Sequence, residues 1–144
     1  MIVLDAYAVL AFLKGEPAAA EVHGLLDGAD LVSLTTLGVA EVLDHLVRIV
    51  GATEEDAVLD LAQLRLSDPP ALDPGLAARA GLLRARHYHR RDRAVSLADC
   101  VAAETARSVT GTLATSDPHL LDLCHHEAVN VIPLPGTTGA VWKP

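Results

Sequence analysis

The amino-acid sequence predicts one α/β domain with a mainly parallel sheet, on three observations. Short apolar runs of strand length alternate with longer stretches of helical apolar spacing. The 144 residues, 51% of them hydrophobic, suffice for a single packed core. No internal repeat, low-complexity tract or shift in composition marks a second domain.

Met1–Leu4 forms an apolar strand that meets Asp5 at once. Ala6–Leu13 and Ala18–Leu26 read as helices divided by Gly15 and Pro17, with Pro17 placed to start the second. Leu31–Leu34 is a second strand. Thr35 or Thr36 can then cap a helix that runs to about Val50 and stops at Gly51. Thr53 opens another helix, with Asp56 at the capping-box position, reaching about Leu66. Ser67-Asp68-Pro69-Pro70 breaks it, and Ala71-Leu72 reads as the remnant of a poor edge strand. Pro74–His89 and Ser96–Thr110 are helical, Leu113–Thr115 is a short strand, and Pro118 to about His126 is a helix. Val129–Ile132 is the last strand. The domain thus spans residues 1–132, and 133–144, with Pro133, Pro135, Gly136 and Gly139, form an irregular C-terminal tail.

Composition narrows the function classes. Only 3% of the residues are aromatic, which argues against a surface that stacks many bases. The formal net charge of −8 disfavours broad contact with phosphate backbones, so a nucleic-acid role must be local or metal-assisted. No apolar run approaches the roughly 18–20 residues that span a bilayer. The opening Met1-Ile2-Val3-Leu4-Asp5 has no basic leader, so neither a signal peptide nor a membrane is expected and the expected location is cytoplasmic. Cys100 and Cys124 form neither a disulfide framework nor a metal motif and read as two buried thiols.

An open parallel sheet binds its ligands beyond the carboxyl ends of its strands. Asp5 follows the first strand there, and Asp117 lies just past Leu113–Thr115. Asp99 falls in the first turn of the Ser96 helix and Glu41 in the second turn of the Thr36 helix. If those helices also point their N-termini at the crevice, four carboxylates converge. Such a cluster repels itself without a cation, and oxygen-only donors select a hard ion, Mg²⁺ or Mn²⁺. Each residue also has a purely structural reading. Asp5 and Asp117, the latter followed by Pro118, are natural N-caps, and Asp99 stands in a capping box with Ser96. Glu41, Asp44, His45 and Arg48 fit a solvated helix face.

The arrangement of these segments resembles a PIN domain. Met1-Ile2-Val3-Leu4-Asp5-Ala6-Tyr7-Ala8-Val9-Leu10 is similar to the family's opening, and Thr36-Leu37-Gly38-Val39-Ala40-Glu41-Val42-Leu43 to its second acidic motif. Ser96-Leu97-Ala98-Asp99-Cys100-Val101-Ala102-Ala103 resembles the third, and Leu113-Ala114-Thr115-Ser116-Asp117 the fourth. The resemblance covers essentially residues 1–132, and the chain length resembles the VapC group, toxins of bacterial type II toxin–antitoxin pairs. It implies a three-layer α/β/α fold and a metal-dependent endoribonuclease with Asp5, Glu41, Asp99 and Asp117 as its acidic quartet. By that resemblance Asp5 and Asp99 contact Mg²⁺ or Mn²⁺, Asp117 completes the set of metal ligands, Glu41 orients or deprotonates the attacking water, and Thr115 supports the ligands by hydrogen bonding. It further implies a homodimer and a cognate VapB-type antitoxin, whose C-terminal segment could insert an arginine among the carboxylates.

One position departs from the pattern. Two residues after the first aspartate the family often carries a small hydroxyl residue, and here stands Tyr7, which either packs under the site or reaches substrate. Six of the eleven Lys and Arg residues lie between Arg79 and Arg93, with His87 and His89 among them. This segment is either a footprint for RNA phosphates, with Arg86, Arg90 and Arg91 as the contacts, or a solvated helix end. His125-His126 read as a helix C-terminus, because adjacent side chains on a helix diverge. His119 reads as an exposed residue of the first helical turn.

Three competing readings remain to be weighed. A phosphoacceptor domain needs a lysine near its acidic site, and the only lysines are Lys14 and Lys143. An aspartate-nucleophile phosphatase needs a second Asp where Tyr7 stands. The third is a catalytically inactive PIN-like interaction module whose acidic crevice docks a basic partner segment; divalent-ion binding separates it from the enzyme.

Overall fold

The computed structural model describes residues 1–144. Its centre is a four-stranded parallel sheet of β1 (Ile2–Leu4), β2 (Val32–Leu34), β3 (Thr112–Thr115) and β4 (Val131–Pro133), in the spatial order β2-β1-β3-β4. Val3 pairs with Ser33 on one side and Leu113 on the other. Successive strand residues face opposite sides, and on β1 both sides are dry. Ile2 and Leu4 join Val32, Leu34 and Ala114 in a core against α1 (Ala6–Lys14), α2 (Ala19–Leu26), α3 (Thr36–His45) and α4 (Glu54–Gln63). Val3 and Leu113 point the other way, into a core against α5 (Pro74–His87), α6 (Leu97–Ser108) and α7 (Pro118–His126). The molecule is therefore the expected α/β fold, with helices on both faces of a parallel sheet.

Side-chain caps fix where most helices begin. Thr35 Oγ1 accepts from Gly38 N at 3.0 Å, Thr53 Oγ1 from Asp56 N at 3.1 Å, and Asp73 Oδ1 from Leu76 N at 2.8 Å. α3 loosens at its end into a π-helical turn, Leu46–Val50, which Gly51 closes with φ 81°, a conformation that suits glycine. Gly111 answers a packing need: a Cβ there would stand 2.5 Å from the Met1 carbonyl oxygen.

The structure shifts several boundaries. Pro17 precedes the start of α2, whose cap is Ala18 with no side-chain bond. α4 ends at Gln63 because Arg65 turns left-handed, at φ 51°, and sends the chain back to the sheet. The edge contact falls at Ser67, which bridges Ser33 and donates its N–H to Val32 O at 2.8 Å. Ala71-Leu72 forms no strand: Pro69 and Pro70 lack the N–H a ladder needs, and the chain then turns outward to its cap at Asp73. α5 stops at His87, and His89 and Arg93 instead exchange two backbone hydrogen bonds across a tight turn. The last strand begins at Val131 and runs through Pro133, after which Leu134 N donates to Thr115 O at 2.9 Å. Beyond it the chain folds back, with Trp142 Nε1 donating to Asp122 Oδ1 of α7 at 2.7 Å. No helix is long and apolar enough to cross a membrane.

Candidate active site

β1 and β3 are neighbours in the sheet, but the chain leaves them in opposite directions, to β2 and to β4. Between them lies the switch point where open α/β sheets form a ligand crevice. α1, α3 and α7 follow their strands directly, so their N-termini open at that edge. α6 leads into β3 and runs antiparallel to it, which brings its N-terminus to the same edge. Four positive helix ends thus meet where four carboxylates are placed.

Asp5 is buried at this point. Its Oδ1 accepts from Ala8 N at 2.7 Å, capping α1, and its Oδ2 accepts from the hydroxyl of Thr115. Thr115 Oγ1 in turn accepts from Asp117 N at 3.0 Å, and Asp117 Oδ1 accepts from His119 N at 2.8 Å, capping α7. Asp99 and Ser96 form a reciprocal capping box, Asp99 Oδ2 accepting from Ser96 N at 2.6 Å and Ser96 Oγ from Asp99 N at 3.0 Å. The structural and chemical readings of these residues therefore coexist. Capping holds each aspartate in place by one oxygen and leaves acceptor capacity on the others.

The electrostatics tie the group together. Burial pushes Asp5 up to about 7, against the lowering effect of the Thr115 and Ala8 bonds, and the charges of Asp99 and Asp117 push it further. Asp99 is raised by burial, with the charge of Asp117 adding and the Ser96 bonds and Arg84 opposing. Glu41, exposed on α3, is raised by its partial desolvation and by the charge of Asp99. The four predicted residues thus share one electrostatic neighbourhood, with Thr115 as the hydrogen-bonded link between Asp5 and Asp117. As the side chains stand, no three His, Cys, Asp or Glu groups form a ready-made cage for an ion. The chemistry of the donors, all carboxylate oxygens, suits a hard divalent cation.

Tyr7 does not pack under the site. Its ring is 60% exposed and stands between two clefts. One, of about 180 Å³, contains Glu41, His45 and Arg48, and the other, of about 340 Å³, contains Ser116, Asp117 and Thr137. A larger cleft, about 560 Å³, lies away from the carboxylates between Phe12, His23 and Leu64. Cys100 and Cys124 are buried thiols pushed up to about 12 by burial, so neither is a nucleophile at neutral pH.

The basic segment divides. Arg79 pairs with buried Glu104, while Arg86 approaches Glu127 at 3.9 Å and Glu127 also binds His87 and Arg107. Arg90 and Arg91 are exposed and make no side-chain ion pair. Arg84 is the site residue that the sequence did not single out. It donates through Nε to Val95 O at 2.9 Å, stacks over Tyr88 at 4.1 Å, and bears on Asp99. Its four-residue spacing from Tyr88 is the signal that could have found it. His119 Nδ1 lies 3.2 Å from Asp92 O and His126 packs against His87, so neither joins the carboxylates.

A family profile described as the PIN domain matches residues 2–125. Comparison with curated protein sequences finds no match. Among solved structures, FitAcB from Neisseria gonorrhoeae is similar at 22% identity with a TM-score of 0.64, over 92% of this chain and 96% of that one. VapBC2 from Rickettsia felis, solved with a DNA fragment from its promoter, is similar at 16% identity with a TM-score of 0.68, over 92% and 98%. VapBC-1 from nontypeable Haemophilus influenzae is similar at 17% identity with a TM-score of 0.63, over 92% and 97%. These likenesses are likenesses of fold.

Proposed function

The chain belongs to the PIN-domain family, a family of nucleases, and from that premise we propose that it is a divalent-metal-dependent endoribonuclease, the toxin of a type II toxin–antitoxin pair. The observation that carries this reading is the linked set Asp5–Thr115–Asp117 at the switch point, with Asp99 close enough to raise the proton affinity of Asp5. Carboxylates brought this close, with Asp5 buried and Asp99 and Asp117 half-buried, are favoured by a cation.

Asp5, Asp99 and Asp117 would hold Mg²⁺ or Mn²⁺. When bound there, the ion supplies positive charge to the scissile phosphodiester and to the attacking water. Glu41 stands at the rim, more exposed than the others, with its raised proton affinity suited to taking a proton from that water. Thr115 orients Asp5, and the Ser96 box orients Asp99. Arg86, Arg90 and Arg91 would hold RNA phosphates beside the site, supplying locally the positive charge that the chain lacks overall.

The structural likeness to VapBC and FitAcB proteins supports a VapB-type antitoxin as partner; a homodimer is the assembly that the family resemblance implies. An arginine from such a partner would meet the same carboxylates and compete with the cation. The test is cleavage of total cellular RNA in Mg²⁺ or Mn²⁺ by the wild type and by Asp99→Asn, with a chelator control. Cleavage that needs the metal and is lost in the variant supports the enzyme. Absence of both cleavage and divalent-ion binding favours the docking module.

A further inference from the structure

We propose that the ring of Tyr7 is a stacking platform for an unpaired RNA base beside the scissile phosphate. This nucleobase subsite rests on the nuclease reading above. Tyr7 lies in the first turn of α1, two residues after Asp5. The chain has four aromatic side chains, Phe12, Trp142, Tyr88 and Tyr7, and Tyr7 alone of them lines the clefts beside the carboxylates. Its ring stays 60% exposed, although burying an aromatic ring is among the more favourable things a small core can do.

The ring is the wall shared by the two clefts. Glu41 lines the cleft on one side and Asp117 the cleft on the other. A strand passing from one cleft to the other would meet the Tyr7 ring. His45 meets the ring edge-on, with centroids 6.5 Å apart and planes at 73°, and so braces it from the Glu41 side. The opposite cleft is walled by Ser116, Pro118, Gly136 and Thr137, with no bulky side chain to exclude a flat base. The Ser116 and Thr137 hydroxyls offer donors and acceptors to a base edge. An apolar helix of a protein partner would find few apolar side chains in this cleft; a base, apolar on its face and polar on its edge, fits both features. Stacking tolerates any base and is a common way for proteins to hold single strands.

The test measures binding of a random-sequence single-stranded RNA oligomer, and of an abasic ribose-phosphate oligomer of equal length, with Ca²⁺ in place of Mg²⁺ to suppress cleavage. Tyr7→Ala is expected to bind the RNA about tenfold more weakly, and Tyr7→Phe, which keeps the ring, as the wild type does. The wild type should lose a similar factor on the abasic oligomer, to which Tyr7→Ala should be indifferent. Equal RNA binding by wild type and Tyr7→Ala overturns the subsite and leaves the nuclease reading standing. A Tyr7→Ala loss that is the same on abasic RNA overturns it too, because the ring then serves the backbone. If the wild type binds no RNA, the nuclease reading falls and the subsite with it.

Discussion

The hydroxyl of Thr115 donates to Asp5 across the junction of β3 and β1. The same oxygen accepts from Asp117 N at 3.0 Å, so one side chain fixes two carboxylates. Thr115→Val keeps the shape and removes the hydroxyl. A hydrogen bond to a charged acceptor contributes about 1.5–3 kcal/mol, and here it stabilises the ionised form of Asp5. Cleavage at neutral pH should fall by roughly tenfold or more, and the pH of half-maximal activity should rise. Thr115→Ser should keep both. A pH–rate profile of the three proteins checks this.

Metal-free protein should lose stability as pH rises toward neutrality. Asp5 sits at about 7 when folded against 3.8 as its ordinary value. Between those values the folded state holds a proton that the unfolded chain has released. The stabilisation is therefore full below about 4 and is lost as pH passes through about 7, roughly 4 kcal/mol at most. Asp99 and Glu41, also raised, act with the same sign. Glu127 is lowered by its bond to His87, so its effect lies at lower pH, where stability falls as pH falls through its folded value. Urea unfolding without divalent ions should give a lower midpoint near pH 7.5 than near pH 5, and Asp5→Asn should flatten the difference. Mg²⁺ at about 100 times its Kd should restore roughly 2.7 kcal/mol at neutral pH.

Charge reversal separates the arginines. Arg90 and Arg91 make no ion pair within the protein, whereas Arg86 has Glu127 3.9 Å away. Arg90→Glu and Arg91→Glu should each weaken RNA binding and reduce the slope of log affinity against log salt by about 1. Neither should move the unfolding midpoint by more than about 0.5 kcal/mol. An unchanged salt slope in both variants would refute the phosphate contact.

Trp142 makes the C-terminal segment observable, since it is the chain's one tryptophan. Its indole donates to Asp122 at 2.7 Å and its ring lies 5.9 Å from that of His125. Asp122→Ala should red-shift its fluorescence as the ring is released to water. Global stability should change by no more than about 1 kcal/mol, because the bond is exposed. A spectrum identical to wild type would mean that other contacts hold the tail.

Where the signal was local, the sequence disclosed it. Ser96 with Asp99, Thr53 and Asp117-Pro118 mark helix starts by chemistry confined to four residues, and the structure shows those caps. The apolar strands were legible because both faces of the sheet are buried. The π-helical turn at Leu46–Val50 was not, since over five residues its spacing cannot be told from an α-helix. The Ser67 bridge was hidden because it depends on where Arg65 turns, and the Arg84–Val95 bond because its acceptor is a backbone carbonyl eleven residues away. At the candidate site, the acidic positions and a supporting role for Thr115 were legible, but only the fold shows that Thr115 bonds both Asp5 and Asp117 and that Tyr7 stands exposed between the Glu41 and Asp117 clefts.

The separation of 110 positions between Asp5 and Thr115 also governs when the site can exist. β1 occupies an inner position of the sheet, yet its neighbour β3 is made long after it. At ~5–20 residues per second, synthesis separates the two by roughly 5–20 seconds. Until β3 emerges from the ribosome, Asp5 has neither its hydroxyl partner nor Asp117 beside it. A prematurely ended chain that stops before β3 therefore carries three of the four acidic motifs, lacks Asp117, and has no assembled crevice. A site built this way assembles only after β3 and Asp117 have been made, however early its first carboxylate appears.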